Sequence, residues 1–190
     1  MASLTEVRWH GRGGQGGKTA SILLGKVAAK SGKNIQAFPE YGPERMGAPI
    51  LAYNRISEDE ITLHCQVTEP GIVSVLDPTL LDVVDVTKGV PADGTIVVNS
   101  KDDADTIKDK LDFDGDVWTV DAYGVAEKEI GKPFPNTPML GALMKATGLI
   151  NFDDFIAGME TELEKKFAHK PEVIDKNLAA IKRAYQEVAN

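Results

Sequence analysis

The stretch Arg8-Trp-His-Gly-Arg-Gly-Gly-Gln-Gly-Gly-Lys-Thr19 holds five glycines, at 11, 13, 14, 16 and 17, within seven positions. A backbone so poor in Cβ atoms takes left-handed dihedrals and lies close against a ligand. Val7–His10, just before it, reads as a strand. Lys18–Lys30, just after it, reads as a helix, with Ala20, Leu23, Leu24, Val27 and Ala28 forming a stripe of helical period. A helix starting near Gly17 presents unpaired N–H groups and the positive end of its dipole, which together suit an anion. Lys18 adds a full charge beside them. The expected ligand is phosphorylated.

Working outward, Ser31-Gly32 stops the helix and Asn34–Phe38 reads as a second strand, a β-α-β start that implies a parallel strand pair. Residues 38–49 carry three prolines and two glycines and read as a loop. Two alternating runs follow, Ile50–Ile56 and Ile61–Val67, joined by Ser57-Glu58-Asp59-Glu60, as in an antiparallel hairpin. Three short apolar runs then recur at Ile72–Leu76, Thr95–Asn99 and Val117–Val120, the pattern of strands buried on both faces. Helical stretches lie at Pro78–Val86, Asp103–Leu111 and Tyr123–Ile130. Asp77 and Asp121 end strand runs and read as caps, with a ligand role as the lesser alternative.

Near the C-terminus, Asn136 or Thr137 is placed to cap a helix Met139–Ala146, with Gly148 closing it. Two amphipathic helices end the chain. The sum is an α/β fold: one domain over residues 1–190, an open, mostly parallel Rossmann-like three-layer sandwich with an inserted antiparallel hairpin.

Composition narrows the function. A net charge of −8 over 190 residues argues against nucleic acid, whose phosphates are bound by basic surfaces. No apolar run approaches the roughly 20 residues needed to cross a bilayer, and the first residues do not form a signal peptide, so the chain reads as cytoplasmic. One cysteine, Cys65, does not supply the four thiolates of a cubane cluster, and its alternating context suggests a buried small side chain. His10, His64 and His169 are scattered and read as structural.

Gly11-x-Gly13-x-x-Gly16 satisfies the dinucleotide fingerprint, but the second strand ends in Phe38-Pro39, with Glu40 only after the proline. Gly17-Lys18-Thr19 lacks the glycine at position 12 that a phosphate loop needs. A third reading is that the glycines serve only a tight strand-to-helix turn, for which one or two suffice.

Three motifs in register carry a resemblance: His10-Gly-Arg-Gly-Gly-Gln-Gly16, Phe38-Pro-Glu-Tyr-Gly-Pro-Glu-Arg-Met-Gly-Ala-Pro49 and Pro135-Asn-Thr-Pro-Met-Leu-Gly-Ala-Leu143. Together they resemble the gamma subunit of the 2-oxoacid:ferredoxin oxidoreductases, most closely the pyruvate type, over essentially the whole chain. The resemblance implies a subunit of an enzyme that decarboxylates a 2-oxoacid oxidatively with coenzyme A, giving acyl-CoA, CO2 and reduced ferredoxin. It implies alpha, beta and delta partner subunits, with thiamine diphosphate, Mg2+ and [4Fe–4S] clusters held elsewhere. This chain alone is then expected to hold no cofactor and turn over nothing.

Coenzyme A carries a diphosphate and a 3′-phosphate, which the amides of Gly13, Gly14, Gln15 and Gly16 would hold, with Arg12 or Lys18 as charge partners. Glu40, Glu44, Arg45, Asn136 and Thr137 are candidates for a subunit interface or substrate channel. A free-standing dinucleotide-dependent oxidoreductase and a ligand-free assembly subunit are the competing readings.

Overall fold

The computed structural model describes residues 4–40 and 46–190. Six strands form one sheet in the order β2-β3-β1-β4-β5-β6. They are β1 Thr5–Arg12, β2 Asn34–Pro39, β3 Pro49–Ser57, β4 Ile72–Val75, β5 Thr95–Asn99 and β6 Asp116–Val120. β1, β4, β5 and β6 are mutually parallel neighbours, whereas β3 runs antiparallel to both β1 and β2. The helices are α1 Gly17–Lys30, α2 Ala104–Leu111, α3 Ala122–Ile130, α4 Asn136–Thr147, α5 Phe152–Phe167 and α6 Pro171–Glu187. A 3-10 turn, Pro78–Asp82, follows β4. The expected α/β class and mostly parallel sheet are present.

Strand alternation sorts side chains onto two faces. Val7, Trp9, Ala52, Ile56 and Val97 join the larger core beneath α1, α4, α5 and α6. Val73, Val75, Ile96 and Val98 face the smaller one, closed by Leu80, Val86, Ile107 and Phe113. α4 is the most deeply set helix: Thr137 through Met144 are all buried. It packs so closely on α6 that a Cβ on Gly141 would stand 2.1 Å from the Ile181 carbonyl oxygen. At the far edge, the Ala189 backbone exchanges hydrogen bonds of 2.8 and 3.1 Å with Thr119, covering the free side of β6.

Several expectations fail here. Of the helical stretch expected at Pro78–Val86, only the 3-10 turn Pro78–Asp82 forms. β1 and β2 do run the same way, but they are not a pair, because β3 lies between them and bonds to both. The antiparallel hairpin is therefore β2–β3. The run Ile61–Val67 is not a strand. β3 has no open edge left for it, and Gln36 Nε2 instead donates to the carbonyls of Ile61 and Leu63 at 3.4 and 2.8 Å. The segment crosses the sheet face as an irregular strap, on which Cys65 is exposed rather than buried. Arg55 pins the same strap through the Gln66 carbonyl at 3.1 Å.

Candidate functional site

After β1 the chain turns to one side of the sheet, and β4 lies on the other. The C-terminal ends of β1 and β4 thus flank the topological switch point, where open α/β sheets hold ligands. The glycine loop leaves β1 there and the Asp77 turn leaves β4. Gly14 and Gly16 have φ of 100° and 84°, the region that favours glycine. Gly16 also abuts Asn136, whose Cγ would lie 2.9 Å from an added Cβ. These two positions need glycine for geometry alone. Gly16 is the cap of α1 and has no side-chain bond to offer, so the first-turn amides have no intrahelical acceptor.

The loop is also stitched internally, which corrects part of the expected anion cradle. Gly13 N–H donates to the Ala48 carbonyl at 2.9 Å and Gln15 N–H to the Arg12 carbonyl at 3.1 Å. Of the four nominated amides, those of Gly14 and Gly16 have no acceptor among the described residues. Arg12 is likewise committed. Its Nη2 donates to Thr79 Oγ1 at 2.8 Å, its Nη1 to the Gly47 carbonyl at 3.2 Å, and its Nε stands 3.3 Å from Asp77 Oδ2. A buried carboxylate needs a cation, and Arg12 supplies it to Asp77. Lys18 is exposed on the first turn of α1.

Asp77 organises this end of the sheet. It accepts from Thr79 N at 2.9 Å, capping the 3-10 turn as expected, and from Thr79 Oγ1 at 2.6 Å. It also accepts from Gln15 Nε2, which donates its other proton to Tyr123 OH at 2.8 Å. Burial opposes ionisation of Asp77, but the bonds from Thr79 and Gln15 and the Arg12 charge outweigh it, holding the carboxyl below its usual range. Burial, then the Asp77 charge, raises the Tyr123 phenol, which stays neutral. Gln15 is thereby fixed: its Oε1 accepts from Arg12 N–H at 2.7 Å.

The glycine loop opens into a cleft of about 500 Å³ on the helical face. Gly14, Gln15 and Gly16 form one wall, and Lys132, Phe134, Asn136, Lys166, Phe167 and Asn177 form the others. Phe134 is 46% exposed in this cleft, which Lys132 and Lys166 also line. The cleft pairs cationic side chains and aromatic faces with the positive end of α1. Chemically, that combination suits an anionic ligand that carries a flat ring.

Asn136 is at this cleft, but Pro135 takes the cap position of α4 and no side chain caps the helix. Thr137 is buried, lines the same cleft and donates to Asn177 Oδ1 at 3.0 Å, tying α4 to α6. Glu40 is on the opposite face of the sheet, where Tyr53 OH donates to it at 2.6 Å and Gln66 Nε2 at 2.8 Å. Glu44 and Arg45 lie outside the described residues. Lys132, Phe134, Lys166, Phe167 and Asn177 were not legible as site residues. They sit in a proline-rich break and on two helices read as core stripes, and only the tertiary fold brings them to the loop.

The insertion of β3 also bears on the dinucleotide reading. Such a site needs the second strand beside the first, so that its terminal carboxylate reaches the ribose. Here β2 is displaced by a whole strand, and Glu40 is turned away toward Tyr53.

Comparison with known proteins agrees over nearly the full length. The family described as pyruvate ferredoxin/flavodoxin oxidoreductase matches residues 6–187. Pyruvate synthase subunit PorC of Thermotoga maritima is 44% identical over 185 residues, which is 96% of this chain and 94% of that protein. The common gamma subunit of the pyruvate/ketoisovalerate oxidoreductases of Pyrococcus furiosus is 41% identical, covering 97% of each chain. The crystal structure of the Thermotoga maritima PORC subunit superposes with a TM-score of 0.86 at 42% identity, covering 98% of this chain and 97% of that one. A 2-oxoglutarate:ferredoxin oxidoreductase from Magnetococcus marinus shares the fold, with a TM-score of 0.76 at 18% identity, over 96% of this chain and 30% of that one.

Proposed function

This chain belongs to the pyruvate ferredoxin/flavodoxin oxidoreductase family, and from that premise we propose that it is the gamma subunit of a pyruvate-type 2-oxoacid:ferredoxin oxidoreductase that helps hold coenzyme A. It acts as one unit over residues 1–190 beside alpha, beta and delta subunits, in the cytoplasm, with ferredoxin as electron acceptor. Thiamine diphosphate, Mg2+ and the [4Fe–4S] clusters belong to the partner subunits and supply the decarboxylation and electron transfer. The chain has no helix long and apolar enough to cross a membrane among its described residues.

The observation that carries the coenzyme A reading is the cleft of about 500 Å³ between the glycine loop and Lys132, Phe134 and Lys166. The Gly14 and Gly16 amides and the first turn of α1, with Lys18 exposed beside them, face phosphate with oriented dipoles. Lys132 and Lys166 add mobile charge, and Phe134 offers a ring face to the adenine. Each charged contact contributes roughly 0.3–2 kcal/mol, according to its burial. Arg12, Gly13 and Gln15 serve indirectly, by holding the loop in shape.

The test is the assembled oxidoreductase carrying Lys132→Ala with Lys166→Ala. The KM for coenzyme A rises about tenfold or more, while the KM for pyruvate and the kcat at saturation stay near wild type. An unchanged KM for coenzyme A overturns the assignment. Loss of pyruvate oxidation by a correctly assembled wild-type complex overturns the pyruvate reading.

A further inference from the structure

The sheet face opposite the coenzyme A cleft is polar where β1 and β3 cross it. Arg8 and His10 point to that face because Val7 and Trp9 point to the larger core. Both are 6% exposed. They line a second cleft, of about 430 Å³, with Tyr53, Glu40, Asp85 and Lys88 around it and Leu80 and Val84 along an apolar wall.

The hydrogen bonds of Arg8 leave something over. Its Nη2 spends both protons on the carbonyls of Val86 and Lys88, at 3.0 and 2.8 Å, which tethers the segment after the 3-10 turn. Its Nε donates to His10 Nε2 at 3.0 Å. The two protons of Nη1 have no acceptor among the described residues, and none of their carboxylates makes an ion pair with Arg8. Because Nε2 accepts from Arg8, the His10 proton sits on Nδ1, which also has no acceptor there. A guanidinium bonded only to neutral groups, with donors to spare on the cleft, is a ready partner for an anion.

The surrounding carboxylates are already turned elsewhere. Glu40 receives Tyr53 OH and Gln66 Nε2, and Asp85 receives Thr87 N and Oγ1. Neither carboxylate pairs with Arg8, and their two charges offset only part of the field of Arg8 and Lys88 at close range, which disfavours a dianion more than a single negative charge. The apolar wall favours a short hydrocarbon tail.

We propose that this cleft, between Arg8, His10 and Lys88 on one side and Leu80 and Val84 on the other, is a second binding site that takes a small organic monocarboxylate. The carboxylate accepts from Arg8 Nη1 and His10 Nδ1, with Lys88 Nζ closing over it, and the tail lies on Leu80 and Val84. The site is separate from the coenzyme A cleft and does not depend on that reading.

The experiment titrates the full-length chain with propionate, reading the His10 imidazole resonances by NMR, with inorganic phosphate as the comparison anion. Propionate shifts His10 saturably in the millimolar range, and phosphate does not. Arg8→Gln abolishes the shift. Since that change also cuts the tether to Val86 and Lys88, Lys88→Ala, which keeps its backbone carbonyl, is the second variant and weakens binding about threefold to fivefold. The site is overturned by a His10 signal unmoved at tens of millimolar propionate, by equal response to phosphate, or by Lys88→Ala binding as tightly as wild type.

Discussion

Arg12 Nε lies 3.3 Å from Asp77 Oδ2, joining the C-terminal end of β1 to that of β4 across the sheet's switch point. The contact turns two loops into one rigid rim. Gln15 extends it from Asp77 to Tyr123 at the start of α3. The amides left over on the glycine loop are therefore held in place, so a ligand bound there would meet a lowered ordering cost.

Asp77→Asn tests that rim. The substitution keeps the shape but removes the negative charge that Arg12 neutralises, and leaves a cation with neutral partners. The expected loss is about 1–3 kcal/mol of stability, read from the urea midpoint. Amide exchange at residues 13–17 quickens along with it. An unchanged midpoint and unchanged exchange show that the Arg12–Asp77 pair does not hold the loop.

Gly141→Ala tests the buried contact of α4 with α6. The new methyl meets the Ile181 carbonyl oxygen at 2.1 Å, so one helix must shift. Overpacking of this kind costs about 1–3 kcal/mol, and here the clash is with backbone, which does not rotate away. Thermal unfolding of the purified chain is the measurement, and a Tm equal to wild type refutes the close packing.

Glu162 anchors α5 to α1 through Lys26 and Lys30, 3.4 and 3.1 Å away, and bonds Lys165 on its own helix at 2.7 Å. The bond from Lys165, then those from Lys30 and Lys26, overcomes its burial and lowers the carboxyl from 4.5 to about 2. A folded-state value below the unfolded one means the stabilisation is complete above about pH 4.5 and fades as pH falls toward 2. Glu162→Gln therefore loses stability at pH 7 and differs little from wild type near pH 2. The lysines are largely exposed and screened, so about 1 kcal/mol is expected at neutral pH. Urea titrations at the two pH values check it.

Much of the fold was legible because local patterns are local physics. The β-branched runs became β4, β5 and β6, Asp77 and Asp121 capped the elements that follow them, and Gly148 closed α4. Partner choice was not legible. Alternation in Pro49–Ser57 declares a strand but does not say that it inserts between β1 and β2. The same alternation in Ile61–Val67 was empty, because both edges of β3 were already taken by β1 and β2 and the Gln36 side chain held the Ile61 and Leu63 carbonyls instead. The glycine loop announced itself through composition. Lys132 and Lys166 did not, since lysines on a loop and a helix look like any solvated pair until the fold sets them across one cleft.

His10 makes the sharpest pH prediction. Burial, reinforced by the neighbouring Arg8 charge, holds its imidazole down to about 3 from the ordinary 6.5. The folded chain thus keeps His10 neutral at a pH where the unfolded chain protonates it. Stability from this source is fully present above about pH 6.5 and falls as the solution is acidified toward 3. The slope approaches one proton, about 1.4 kcal/mol per pH unit. Between pH 6.5 and 4.5 the folded chain keeps the Glu162 and Asp77 carboxyls ionised and His10 neutral, so the His10 contribution in this window comes from the unfolded chain taking up the proton. His10→Gln retains an acceptor for Arg8 Nε but nothing that protonates. The wild-type urea midpoint should drop across that window and the variant's should stay nearly level. Parallel curves would mean that the His10 imidazole takes up its proton as readily in the folded chain as in the unfolded one.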